Sequence, residues 1–345
     1  RNTCAEGSRG GGCEVPVRGR LGRQLGLLLG LALTLAGVPL HADQAAPLEV
    51  SARGARAVAF SADGRLAAVS SLVHGGSLWD LGSEERRFDW NHRVEGSSAI
   101  GALAFSPEGA FAISAENDTL VLWSTAKGDA LTFFRAPAAV LALALGPDGK
   151  TALLGLADGT AVLFDPREGG ILRSFPHEGR VLSVALDRRG ALALCGSADR
   201  SLRLWDVASG RQLRRWKHGG AVRVVALSAD GKRALGAARG EGAGLRDTAT
   251  GLSLGEIAGP GLADPRHMSL TAAAFSPDGT QLLIGGADGS LGLWQVQGLE
   301  QKKRWELPRR SALRPTGNVV LAVGYAGEDV LGASSDGLIH RLALR

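Results

Sequence analysis

The 345 residues are 45% apolar and 21% charged, too much hydrocarbon and too little charge for a chain that stays disordered. Fifty glycines against 13 prolines, with no Gly-X-Y period, are about twice the ordinary ~7% and call for many tight turns rather than a collagen-like rod. The net charge of +5 sits largely in residues 1–42, where five arginines face two glutamates and leave +2 for residues 43–345; a near-neutral body argues against a nucleic-acid trap, which needs clustered positive charge.

In chain order, the first feature is Arg18, Arg20 and Arg23 followed by the uncharged run Leu25–Leu40 and then Leu40-His41-Ala42. A basic stretch, an apolar stretch and a small residue make a secretory signal peptide, expected to be cut after Ala42. Residues 1–42 are thus read as an upstream stretch and signal, and the mature protein as periplasmic or secreted. Sixteen residues fall short of the ~20 of a spanning helix, so no stable membrane span is expected after cleavage; an uncleaved N-terminal anchor is the alternative. Past Ala42 the one cysteine is Cys195, so no intramolecular disulfide is expected there.

From about residue 55 the chain repeats itself, and a period of this kind decides the fold. Alternating apolar stretches end in turns at Gly64, Gly109, Gly149, Gly190, Gly231, Gly279 and Gly327, spaced 45, 40, 41, 41, 48 and 48 residues apart. Each is followed by a small-residue apolar strand, a second turn, a third strand such as Ser201–Val207 or Ser290–Val296, and a polar fourth segment ending in an aromatic such as Trp90, Trp216 or Trp305. Period-two alternation bounded by Asp-Gly turns predicts antiparallel hairpins. Four strands per ~40–45 residues predict one propeller blade per repeat, an all-β, seven-bladed β-propeller over residues 43–345.

The residues at the end of the third strands carry a resemblance. Trp79-Asp80 and Trp205-Asp206 are followed by looser versions at Trp123-Ser124, Phe164-Asp165, Arg246-Asp247 and Trp294-Gln295. Over roughly residues 48–345 the chain resembles the WD40-repeat family. The resemblance implies a hydrogen-bonded set of histidine, hydroxyl, turn aspartate and tryptophan in each blade. Blade four fits best, with His177, Asp199 and Trp205, although Cys195 stands in the hydroxyl slot; His218 takes the histidine slot of the next blade. Asp158 and Asp288 fill turn-aspartate slots, Trp294 the tryptophan slot, and Arg266 and Arg314 stand where histidine belongs. The last repeat supplies only three strands, so Leu48-Glu49-Val50 is expected to complete it as an outer strand and close the ring.

The remaining conspicuous residues fit the repeat. All seven tryptophans fall on third- or fourth-strand positions, which leaves no aromatic platform for bases or sugars. The aspartates fall in turns, where short polar side chains cap their own backbone. No metal-ligand spacing, nucleophile elbow or phosphate loop is present, so neither catalysis nor a cofactor is expected. What departs from the repeat is the pair of longer connections, 257–269 and 306–318, bearing Arg266, His267, Arg309, Arg310 and Arg314. In the family these connections open on the face of the second turns, the face that commonly receives partners. The reading is a monomeric, non-catalytic scaffold binding another protein through an acidic patch; the alternative is a propeller enzyme or cofactor-holding domain using the central funnel.

Overall fold

The computed structural model describes residues 46–92, 98–257, 270–310 and 318–344, all within the compact unit Asp43–Arg345. The signal segment, Arg266, His267 and Arg314 lie outside the described residues.

Seven four-stranded antiparallel sheets are present, six of them built from four consecutive strands. Blade four is representative: Val181–Leu186, Leu192–Ser197, Ser201–Asp206 and Gln212–Lys217. The first strands of the seven blades are Ala55–Phe60, Ala102–Phe105, Val140–Leu145, Val181–Leu186, Val222–Leu227, Leu270–Phe275 and Val320–Ala326. Each touches the first strands of its two neighbours, and Ala55–Phe60 packs on Val320–Ala326, so the sheets form a closed ring.

The seventh sheet takes Val320–Ala326, Asp329–Ser334 and Leu338–Ala343 from the end of the chain and Leu48–Glu49 from its beginning, with Leu48 opposite Ile339 and Glu49 opposite Leu338. Val50 and Ser51 both donate backbone N–H bonds to the Gly337 carbonyl, at 2.9 and 3.2 Å. Joining the two ends of the chain in one sheet protects an edge that would otherwise pair with other molecules.

Burial explains the composition of each strand. Second strands such as Leu192–Ser197 and Gln281–Gly286 are buried almost throughout, because a neighbouring blade lies on each face, and they hold small and aliphatic residues without alternation. At Gly155, Gly196 and Gly285 an added Cβ would come within 3.0, 2.8 and 2.5 Å of Val181, Val222 and Val320 of the following blade, so blade contact itself demands glycine there. Fourth strands form the rim: in Glu300–Glu306 exposed and half-buried residues alternate along Glu-Gln-Lys-Lys-Arg-Trp-Glu, and charge on the free edge opposes edge-to-edge aggregation.

Six first strands carry a bulge near their start, at Arg56, Leu141, Leu182, Arg223, Thr271 and Leu321. A bulge re-aims the extra residue, and here it does so on the second-turn side of the ring.

Candidate functional site

The turn acids are tied into the turns that contain them. On the first-turn face, Asp63, Asp230 and Asp278 each accept a hydrogen bond from a serine two residues earlier, Ser61, Ser228 and Ser276, at 2.6, 2.7 and 2.5 Å. In blade four Asp187 takes the serine position and accepts the N–H groups of Ala191 and Leu192, both at 2.7 Å. In the second turns, Asp158 accepts Thr160 N–H and Oγ1–H at 2.9 and 2.7 Å, and Asp288 accepts Ser290 N–H and Oγ–H at 3.0 and 2.6 Å. The aspartate of the Trp-Asp dipeptide caps the third turn: Asp80 accepts Gly82 N–H at 2.9 Å and Asp206 accepts Ser209 N–H at 2.8 Å. Hydrogen bonds from Gly82 and Ser83 hold Asp80 below the usual carboxylate range, and those from Ser209 do the same for Asp206.

The blade network differs from the one read in the sequence. In blade four His177 Nδ1 stands 3.8 Å from Asp199 Oδ2, beyond a hydrogen bond. Neither ring nitrogen of His177, nor Trp205 Nε1, has a partner. Buried Arg203 takes Asp199 instead, donating from Nη2 to Asp199 Oδ2 at 2.8 Å, from Nε to Ser201 Oγ at 2.9 Å and from Nη1 to the Pro176 carbonyl at 3.0 Å. Burial pushes Asp199 upward, but bonds from Ser201 and Glu178 together with the Arg203 charge outweigh it and leave the carboxyl at about 2. Burial, with Arg203 close by, pushes His177 down to about 4. Cys195 is fully buried, and loss of solvent raises its thiol far above the ordinary range, so it is a packing residue rather than a nucleophile.

The hydroxyl-bonded set occurs in blade two, where Trp123 Nε1 donates to Ser114 Oγ at 2.7 Å and His92 Nε2 lies 2.8 Å from the same oxygen. The available signal was spacing: His92 follows Trp90 by two, as His177 follows Phe175. In blade five His218 Nδ1 lies 3.2 Å from Glu241 Oε2, and in blade six Trp294 Nε1 has no partner.

Two regions remain as candidates for function. The central funnel opens at the first-turn end as a cavity of about 700 Å³ whose lining includes Phe60, Phe105, Leu186, Phe275, Asp187 and Arg188. Its lining mixes polar and apolar groups, and of its carboxylates Asp63 and Asp187 are held by their own turns. The second region is the second-turn face. There Arg309 is exposed, whereas Arg310 donates from Nη2 to Glu49 Oε1 at 2.6 Å and from Nη1 to the Ser51 carbonyl at 3.1 Å. Its backbone N–H also reaches Asp336 Oδ2 at 3.0 Å. Arg310 therefore fastens the strand that closes the ring and keeps 30% of its side chain exposed.

Among the described residues no group of three or more His, Cys, Asp and Glu could hold a metal ion, and no helix is long and apolar enough to cross a membrane. Three stretches, residues 89–124, 169–206 and 265–295, match the family model described as WD domain, G-beta repeat; each ends at or just beyond a third-strand Trp-Asp position. A search of curated proteins finds no match. Sequence repeats, blade geometry and these three matches agree: the chain is a seven-bladed β-propeller carrying WD40 repeats.

Proposed function

We propose that this propeller is a non-catalytic scaffold that holds another protein on its second-turn face, and that it does so in an exported compartment, the periplasm or outside the cell. The observation that carries the reading is the division of labour among polar residues. Aspartates that recur from blade to blade are bound by their own turns, whereas the longer connections 257–269 and 306–318 add basic residues with no counterpart in the other repeats. Propellers with WD40 repeats generally serve as protein-interaction scaffolds, and the longer connections of this one carry in sequence Arg266, His267, Arg309, Arg310 and Arg314, the residues we assign to partner binding. Guanidinium groups donate in a planar fork that suits carboxylates, so the partner surface is acidic. Export is supported by the basic, apolar and small series before Asp43.

Cross-linking and capture with the full-length protein in its native host tests the reading. Replacing Arg266, Arg309 and Arg314 with alanine is expected to slow association and flatten its salt dependence, because interface charge mainly sets encounter rate. Unchanged kinetics for the captured partner would remove this surface, and N-terminal sequencing of recovered protein that begins before residue 18 would remove the export step.

A further inference from the structure

Charge is unevenly spread around the ring. Residues 171–257, from the outer strand of blade three to that of blade five, hold 15 lysines and arginines against eight aspartates and glutamates, although the whole chain is only +5. Five of these cations lie on the second-turn face of blades four and five: Arg180, Arg200, Lys217, Arg223 and Arg239. All five are exposed, and among the described residues none has an ion pair or side-chain hydrogen bond.

The backbone places them side by side. Ala198 N–H bonds to the Arg180 carbonyl at 2.9 Å, and His218 N–H to the Arg200 carbonyl at 2.9 Å. Lys217 stands opposite Ser201, Arg239 N–H bonds to the Ala221 carbonyl at 3.3 Å, and Arg223 is the bulge residue beside the Val222–Ala238 pair. The nearby carboxylates are already engaged: Asp199 by Arg203, Glu178 by Arg203 and Arg215 at 3.6 and 3.5 Å, and Glu241 by His218 and the Gly219 N–H.

Two independent features mark this cluster as more than a solvated edge. Arg223 and Arg239 border a cavity of about 220 Å³, with Ala237, Ala238 and Leu270 as its apolar lining, large enough for one anionic side-chain head. Arg200 adopts φ 65°, in the left-handed region, at the second-turn position where Gly159, Gly289 and Gly337 serve the sister blades with φ of 97°, 84° and 88°. Left-handed backbone suits glycine better than a residue with a side chain, yet arginine stands here.

We infer that the second-turn face of blades four and five is a recognition surface for an acidic peptide segment, with one carboxylate seated between Arg223 and Arg239 and its neighbours met by Arg180, Arg200 and Lys217. The inference deepens the scaffold reading by adding a second surface and a stated ligand chemistry. A peptide fits better than a nucleic acid, because the cluster spans two blades only and its aromatic residues are withdrawn: Trp205 is buried, and Trp216 Nε1 donates to the Gly251 carbonyl at 2.9 Å. Single-strand binding relies on exposed stacking faces.

The test is fluorescence anisotropy of the full chain with a labelled octapeptide of alternating glutamate and serine, at 50 and 200 mM salt, beside an oligothymidylate of eight nucleotides. Binding of the peptide, weakened several-fold by the higher salt and at least tenfold by Arg223→Ala with Arg239→Ala, is expected. Arg200→Gly is expected to weaken binding several-fold while raising the melting temperature, a pairing that a merely structural arginine would not give. No peptide binding at 50 mM salt by folded protein, equal binding by the double variant, or tighter binding of the oligonucleotide would overturn the inference. Arg309→Ala with Arg266→Ala separates the two surfaces: a partner captured through those residues alongside a negative peptide result sinks this inference and leaves the scaffold reading standing.

Discussion

Cys195 and Ser114 occupy the same position two residues beyond the alanine that faces the blade tryptophan, Ala193 opposite Trp205 and Ala112 opposite Trp123. Only the serine gives its tryptophan an acceptor, and in blade four the Trp205 N–H and both His177 nitrogens go without. Cys195→Ser is therefore expected to stabilise the protein by about 1 kcal/mol, the usual net value of an intramolecular hydrogen bond, reversing the usual sign of a change in a packed core. Ser114→Ala should cost about 1–3 kcal/mol, because it leaves a buried indole N–H without a partner. Urea unfolding of the two variants checks both; a destabilised Cys195→Ser protein would show that sulfur packing outweighs the new bonds. The resemblance pointed to blade four because its histidine, aspartate and tryptophan stand at familiar positions. It could not show that Arg203, two residues before Trp205 on an ordinary-looking strand, captures the aspartate. Identity of residue types is legible in a repeat, whereas competition between two donors for one carboxylate is settled by distance.

Closure of the ring belongs to the scale of one short strand. The period and the missing fourth strand of the last repeat made Leu48-Glu49-Val50 legible as that strand, but the role of Arg310 was hidden, since its acceptors lie about 260 residues away along the chain. The Arg310–Glu49 pair is partly exposed at 30% and 51%, so Arg310→Ala is expected to cost only about 1 kcal/mol. Deleting residues 46–51 is expected to do far more, since it removes Leu48 and Val50 from the core and frees the Leu338–Ala343 edge. A marked fall in melting temperature with concentration-dependent association, followed by calorimetry and light scattering, is the expected outcome. A deletion variant that melts like the intact protein would show that the ring does not depend on the clasp. The same six residues of chain thus tie the first and last repeats into one cooperative unit.

Across the whole molecule, two buried histidines set the response to acid. Burial lowers His177 and His340 from the ordinary 6.5 to about 4, so in the folded state both remain neutral at pH 5 while the unfolded chain takes up a proton at each. Their contribution is fully favourable above pH 6.5 and is lost as pH falls toward 4. Linkage gives a loss of about 2 kcal/mol per histidine between pH 7 and pH 5. Asp199, held at about 2, keeps its contribution until far lower pH. Urea unfolding at pH 7, 6 and 5 checks the slope, and a flat profile would mean that solvent reaches these rings. Charge taken over the whole propeller concealed a local feature: the +2 of residues 43–345, read as near-neutrality, hid a face on blades four and five where unpaired cations gather, because composition averages over surfaces that only the ring order separates.

The central claim is that binding belongs to the second-turn face and that the funnel and first turns serve the fold. Hydrogen exchange of the full chain with and without its captured partner tests this most directly. The account predicts slowed exchange in residues 177–180, 198–201, 217–223, 238–242 and 307–310, with the first turns at 61–64, 106–109 and 276–279 unchanged. Protection concentrated instead in those first turns and along the funnel wall at Phe60, Phe105 and Phe275 would contradict it.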